Sequence, residues 1–432
     1  VAPDGTDEPD ATAKNNGDRS TGSSGGLPVS HSSESQTEPR TDTVSHAKSL
    51  ALNSDRFPYS LLRHFDLVAS NTGRVHAVMA DKGNLYCLPV GSPALNQRLR
   101  AIALEQGALL RKHELAELNE ILSTHGEMNG QHQDVWYRVA KIENGIEIDL
   151  GDQMHTRVRI RPDKVDIIAN GSSTLFSRAS STRPFVKPAE KGDHSLIRKY
   201  LNLDDMTVTL FIGWLTYTLA HPKSANTGYV HLVVKGDQGS GKSFLTKLIH
   251  ELVDPSSTGV RLLPRAGKDL AIAIANTHVA SFDNIRGFAP DIADLLCVTA
   301  TGGSLPSRQL YTDDTEHALP LHGAVVLNGI PAFVTQPDLA QRCLTVSLKP
   351  LKPEARRSES DLMAEFESDL PVILRGLFEY IAKILKHYPN AEVTNPERML
   401  DYARWIAAME KVDGVPAGVY QGAYSHQLHE AE

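Results

Sequence analysis

Tyr229-Val230-His231-Leu232-Val233-Val234-Lys235-Gly236-Asp237-Gln238-Gly239-Ser240-Gly241-Lys242-Ser243 decides how the rest of the chain is read. Its first half has the apolar run of a buried strand. Its second half is rich in glycine and closes on Lys242-Ser243, and an apolar, helix-compatible run from Phe244 to Leu252 follows. Strand, G-x-x-x-x-G-K-S and helix, in that order, form the setting in which backbone amides converge on phosphates. The glycines leave room that side chains would fill. Lys242 supplies a point charge to the β/γ phosphates, and the Ser243 hydroxyl is placed to hold Mg²⁺. The helix N-terminus adds its own partial positive charge. Gly236, Asp237, Gln238, Gly239, Ser240, Gly241, Lys242, Ser243 and Phe244 are therefore the candidate binding set, with ATP and Mg²⁺ as the expected ligands.

Such a loop needs a second strand that ends in a carboxylate to complete the metal shell. His278-Val279-Ala280-Ser281-Phe282-Asp283-Asn284 fits, and Asp283 follows Lys242 by about 40 residues. Asp283 is the candidate metal ligand beside Ser243; on its own it equally suits the cap of the next turn. Asn284 stands where many hydrolases place a Glu or Asp to activate water. An amide accepts no proton, although it can orient a water molecule. A third strand, Ala324-Val325-Val326-Leu327-Asn328, puts a polar residue at an apolar tip. Asn328 there suits a sensor of the γ-phosphate and attacking water, or the opening of the Gly329-Ile330-Pro331 turn. Arg342, just before the strand Cys343–Leu348, suits a positive charge offered to a neighbouring subunit's nucleotide. Its plainer role is a salt bridge to Asp338 at i+4. Lys242, Asp283, Asn284, Asn328 and Arg342 make up the candidate catalytic set.

Outward from this centre the chain changes character. Residues 1–47 are rich in Ser, Thr, Asp, Glu, Gly and Pro, with eight acidic and three basic side chains. They hold too little apolar surface to offset the entropy of ordering and read as a disordered acidic tail. That tail carries most of the formal net charge of −8 in a chain of 432 residues, so a uniformly basic binder is excluded while a local basic channel is not. Residues 48–191 read as a smaller α+β domain. Arg74–Met79 and Asn84–Leu88 flank a hairpin signal, Leu95–Leu122 has helical spacing broken near Gly107, and strand alternation follows over Val135–Val139, Gly145–Leu150 and Thr156–Ile160. Glu147 and Asp149 suit the wet face of a strand better than a primase metal pair. Ser172–Gly192 is a connector, and 192–227 a helical linker or collar that opens with two helices over Asp193–Ala220. Residues 228–350 are the ATPase core, and 351–432 a helical region with amphipathic stretches at Ser360–His387 and Arg398–Lys411. Cys87, Cys297 and Cys343 form no CxxC pair, which supports neither a zinc site nor a disulfide framework. With no apolar run of membrane-spanning length and no visible secretory signal, a cytoplasmic protein is expected.

The motif order resembles the AAA+-related ATPases of helicase superfamily III. Within them it is most similar to the replication ATPases of phages, plasmids and integrated elements, often of primase-helicase type. The resemblance covers roughly 195–410. It rests on Gly236–Ser243, Phe282-Asp283-Asn284, Thr299–Gly303 through Arg308–Tyr311, the strand ending at Asn328, and Pro337–Arg342. It implies an α/β core with an AAA+-like P-loop, helical flanks and a ring, commonly a hexamer, with ATP at subunit interfaces. It also implies a β-hairpin, here between Leu310 and Leu321, that grips single-stranded DNA. The charged residues of the hairpin segment Tyr311–His317 are acidic apart from His317, so phosphate contact and stacking fall to Arg308 and Tyr311. The expected function is an ATP-dependent DNA helicase or translocase for replication of a mobile element, with other replication proteins as further partners. The alternative is an ATP-binding switch or scaffold, in defence or regulation, that oligomerises without unwinding. A small-metabolite kinase leaves Asn328 and Arg342 without a role.

Overall fold

The computed structural model describes residues 56–430 except 82, 224–226, 309–315, 331–332, 352–353 and 355–356. The expected acidic tail and the expected hairpin tip, Tyr311 included, lie outside the described residues.

The first sheet has the order β3-β2-β1-β4, with β1 Asp66–Ala69, β2 Val75–Asp81, β3 Asn84–Pro89 and β4 Gln131–His132. Helices α1 (Pro93–Glu105) and α2 (Lys112–Asn129) cover it with Leu95, Leu99, Leu118 and Leu122. Gly107 separates them at φ 72°, a conformation its missing side chain allows without strain. A second, antiparallel sheet runs β5 (Val139–Ile142), β6 (Gly145–Asp149), β7 (Arg157–Arg161) and β8 (Lys164–Ile168) in chain order.

Two expectations are corrected here. The strand expected at Val135 starts only at Val139, because Arg138 takes φ 61° and turns its side chain inward. Glu147 and Asp149 are not on a wet face: both are buried. Glu147 accepts from Arg159 Nε at 2.7 Å and Ser172 Oγ at 2.8 Å, while Asp149 pairs with Arg157 and Arg178. Burial alone would raise the Asp149 carboxyl, but the Arg178 hydrogen bond and the charges of Arg157, Arg178 and Arg138 outweigh it and hold it at about 2. Carboxylates this well matched by arginine are consistent with a structural network.

The connector is an ordered strap. Its backbone pairs with β3 (Cys87 N to Phe176 O, 3.0 Å), with the turn after the helix 242–253 (Arg183 N to Pro255 O, 2.9 Å) and with a C-terminal helix (Asp193 N to Val372 O, 3.0 Å). Gly192 lies so close to Gly376 that a Cβ there would meet backbone at 2.1 Å.

The larger sheet is parallel, in the order β10-β11-β14-β9-β15. Its elements are, in chain order, β9 (His231–Gly236), α4 (Lys242–Val253), β10 (Arg261–Leu262), α5 (Gly267–Ala275), β11 (Val279–Ile285), α6 (Pro290–Thr301), β14 (Ala324–Gly329), α7 (Pro337–Ala340) and β15 (Cys343–Leu348). Ahead of them stands α3 (Asp205–Ala220), capped by Asp204 on Thr207 N at 3.0 Å and buried from Leu210 onward. Trp214 ties it to the sheet by donating to Val230 O at 2.8 Å. Between α6 and β14, strands β12 (Gly303–Arg308) and β13 (Glu316–Leu321) pair antiparallel. This hairpin starts earlier than the expected Leu310, because Gly302 at φ 86° ends α6 and sends the chain directly into β12. Helices α8 (Glu359–His387), α9 (Leu400–Asp413) and α10 (Val419–His429) close the fold, and the apolar faces of all of them join the core around α3. No helix among the described residues is long and apolar enough to cross a membrane.

Candidate functional site

Parallel strands end along one edge of a sheet, and in open α/β folds ligands bind at that carboxyl edge. β9 ends there in Gly236, which runs into the loop 237–241 and α4. Gly236, Gly239 and Gly241 have φ of 157°, 78° and 92°. The last of these is the N-cap of α4, where no side chain caps the first turn and no atom lies within 4 Å of where a Cβ would be. The first-turn amides and the space above Gly241 thus suit an anion. Lys242 Nζ donates to Gly236 O and Asp237 O, both at 2.8 Å, so its charge is held over the loop. Asp237, Gln238 and Ser243 are exposed, and Ser240 is buried with no partner for its hydroxyl among the described residues. Phe244, grouped with the loop from sequence, turns away into the core under α4.

Alternation along the strands places the polar residues. Val234, Val326 and Val279 pack into the cluster that contains Leu245 and Leu248 of α4, whereas Val233, Leu327 and Phe282 pack on the other side. Asp283 and Asn328 continue the first set and so share the α4 face. Asn328 lies beside Val234 in the register, and Asp283 is one residue beyond the Phe282–Leu327 pair. The half-buried Asp283 carboxylate and the exposed Ser243 hydroxyl offer two oxygen donors of the kind Mg²⁺ takes.

Two residues sit differently from a sequence-based picture. Asn328 is fully buried; its Nδ2 donates to Thr246 Oγ1 at 3.2 Å, Thr246 in turn donates to Lys242 O at 2.9 Å, and Asn328 Oδ1 has no partner among the described residues. Thr246, one turn beyond Lys242, was not singled out in the sequence, where it reads as one more helix residue. Asn284 has φ 59° and donates its backbone N–H to Asp283 Oδ1 at 2.6 Å, at an irregularity in the β11–β14 pairing. Asn tolerates this left-handed conformation better than Glu or a β-branched residue does.

Arg342 is not near the loop of its own chain. It precedes Cys343, which pairs with His231 at the amino end of β9, and its carbonyl accepts from His231 N at 2.9 Å. At a rise of about 3.3 Å per residue, the length of β9 puts ~17 Å between that edge and Gly236. The side chain is buried, with Nη1 on Asp338 Oδ2 at 2.7 Å, so the i+4 salt bridge is formed. Asp338 also pairs with Arg398 at 2.5 Å. The Arg342 hydrogen bond, helped by the Cys297 thiol and the Arg398 charge, holds Asp338 at about 2.

These features define a class: a parallel α/β protein whose glycine-rich loop joins strand to helix at the carboxyl edge of the sheet. Residues 196–429 match the family model of the actinomycete integrative conjugative element replication protein, and the chain belongs to that family. No curated protein sequence matches the chain. Among solved structures, the apo C-terminal region of NrS-1 is similar at 13% identity and a TM-score of 0.41, over 74% of this chain and 67% of that one. An inhibitor-bound JCV helicase is similar at 16% identity and a TM-score of 0.25, over 53% of this chain and 62% of that one.

Proposed function

We propose that this replication protein is an ATP-dependent motor, a DNA helicase or translocase built on an AAA+-like P-loop core and acting as a ring, commonly a hexamer. The observation that carries the proposal is the convergence at one sheet edge of the uncapped α4 N-terminus, Lys242, and the Asp283 and Asn328 strand tips on the α4 face. The loop amides of 237–241 and Lys242 hold the ATP phosphates, and Ser243 and Asp283 hold Mg²⁺. That ion, when bound, neutralises charge on the phosphate oxygens. Asn284 and Asn328 orient the attacking water, and Arg342 offers its charge to the nucleotide of an adjacent copy. Single-stranded DNA and other replication proteins are the partners. The domain layout proposed is 48–191, 192–227, 228–350 and 351–432, after the tail.

A second reading, an ATP-gated switch or scaffold that assembles without unwinding, is favoured by one observation. The residue after Asp283 is an amide held in a left-handed turn. Steady-state ATP hydrolysis with and without single-stranded DNA, beside Lys242→Ala, separates the two. Hydrolysis stimulated by DNA and absent in the variant is the expected result. Hydrolysis indifferent to DNA, or nucleotide binding without turnover, would favour the switch.

A further inference from the structure

The far ends of the two nucleotide-site elements meet at one buried carboxylate. Helix α4 begins with Lys242 and ends at Val253, and Asp254 follows as its C-cap, fully buried. Asp254 Oδ2 accepts from His278 N at 2.6 Å and Val279 N at 3.3 Å, the amides just before and at the start of β11, whose other end carries Asp283. Asp254 Oδ1 accepts from Arg138 Nε at 3.0 Å, and both side chains are 1% exposed. Arg138 belongs to the N-terminal part of the chain, immediately before β5. Its Nη2 donates to Pro255 O at 2.9 Å and to Arg183 O at 3.1 Å in the strap, and its guanidinium lies 4.7 Å from the centre of the Phe185 ring. The strap reinforces the joint: Ser257 N donates to Ser181 O at 2.7 Å, and Arg183 pairs with Glu251 on α4.

We infer that Arg138 is a positioning residue for the nucleotide site, acting through Asp254. By holding one carboxylate between the end of α4 and the start of β11, it sets how these two elements stand to each other and hence where Lys242 and Asp283 lie. The antiparallel sheet β5–β8 is then a working part of the site, and nucleotide bound at the loop is felt in that sheet. The inference rests on the proposal that Gly236–Ser243 and Asp283 bind Mg²⁺ and nucleotide. The planar guanidinium reaches four acceptors from one place, the fourth being Asp149 O at 3.4 Å from Nη1, whereas an ammonium cannot reproduce that fork.

The test uses the full chain. Arg138→Lys keeps the charge and loses the fork; kcat for ATP should fall about tenfold while KM stays within about twofold, the pattern of a misplaced catalytic group in a site that still binds. A folded variant with unchanged kcat overturns the inference, even if its melting temperature is lower. Hydrogen exchange on the wild-type chain, with and without Mg²⁺ and ADP, decides the matter if the variant does not fold. Protection at the loop 236–243 together with slowed exchange at 278–279 and over 139–150 is expected. Loop protection with no change at 278–279 and 139–150 overturns the coupling and leaves nucleotide binding standing. No protection at the loop removes the nucleotide proposal and this inference with it.

Discussion

Asn328 donates its side-chain amide to the hydroxyl of Thr246 across 3.2 Å, which ties the tip of β14 to the second turn of α4 inside the core. Both side chains are fully buried. The Thr246 hydroxyl passes the link on to the carbonyl of Lys242. Replacing Thr246 by Val removes the acceptor and leaves the Asn328 amide buried without a partner. Stability should fall by about 1–3 kcal/mol, the usual cost of stranding a buried donor. Thr246→Ser, which keeps the hydroxyl, should fall by less. Urea unfolding of the two variants gives the comparison, and a larger loss in the Ser variant than in the Val variant would show that the methyl group matters more than the bond.

The left-handed backbone at Asn284 makes a second expectation. Glycine adopts φ 59° without strain, and a β-branched residue does not. Asn284→Gly should melt close to the parent, whereas Asn284→Val should cost roughly 1–2 kcal/mol. Melting curves that rank the two the other way would mean that the Asn284 side chain, not its backbone, fixes this turn.

Arg342 and Lys242 lie at opposite edges of the sheet, which gives the ring proposal a test by mixing. Arg342→Ala alone should bind ATP and hydrolyse little of it, and Lys242→Ala alone should hydrolyse none. In an equal mixture, about a quarter of the interfaces formed at random pair an intact lysine with an intact arginine, and activity should return to that level. A mixture no more active than its parts counts against action between subunits.

His231 and His278 are fully buried, and burial pushes each down to about 4. In the His231 ring, Nδ1 accepts from Val325 N at 3.2 Å, leaving Nε2–H to donate to Leu296 O at 2.8 Å, a neutral tautomer. Below about 6.5 the unfolded chain takes up protons that the folded chain refuses until near 4, so falling pH favours unfolding over that window. Each histidine contributes a slope of up to about 1.4 kcal/mol per pH unit. The urea midpoint should therefore decline steadily from pH 6.5 to 4.5. A flat midpoint across that range would show that these rings are not held neutral.

The glycine-rich turn between β9 and α4 was legible because left-handed backbone dictates its glycines, and β15 because Cys343, Leu344, Val346 and Leu348 give it an apolar pattern. What escaped the sequence has physical causes. Strand β8, Lys164–Ile168, is a half-exposed edge strand with no clean alternation. Helix α10 contains Gly422 and a run of Tyr, Ser, His and Gln that show no apolar stripe. Glu147 and Asp149 alternate with isoleucines as solvent-facing carboxylates do, and only Arg159, Arg157 and Arg178, brought from later in the chain, make burial tolerable. The Arg138–Asp254 pair joins residues 116 positions apart, and no local pattern marks either partner.

The separation of Arg342 from the loop also constrains assembly. A contact that brings Arg342 of one copy to Gly236–Ser243 of the next joins two different surfaces, so a two-fold dimer built on it is not self-complementary. Such contacts are heterologous, and any open row leaves one donor edge and one acceptor edge unmatched at its ends. Closure into a cycle removes both loose ends at once. The direction of the parallel strands, loop at one end and arginine at the other, gives every subunit a head and a tail.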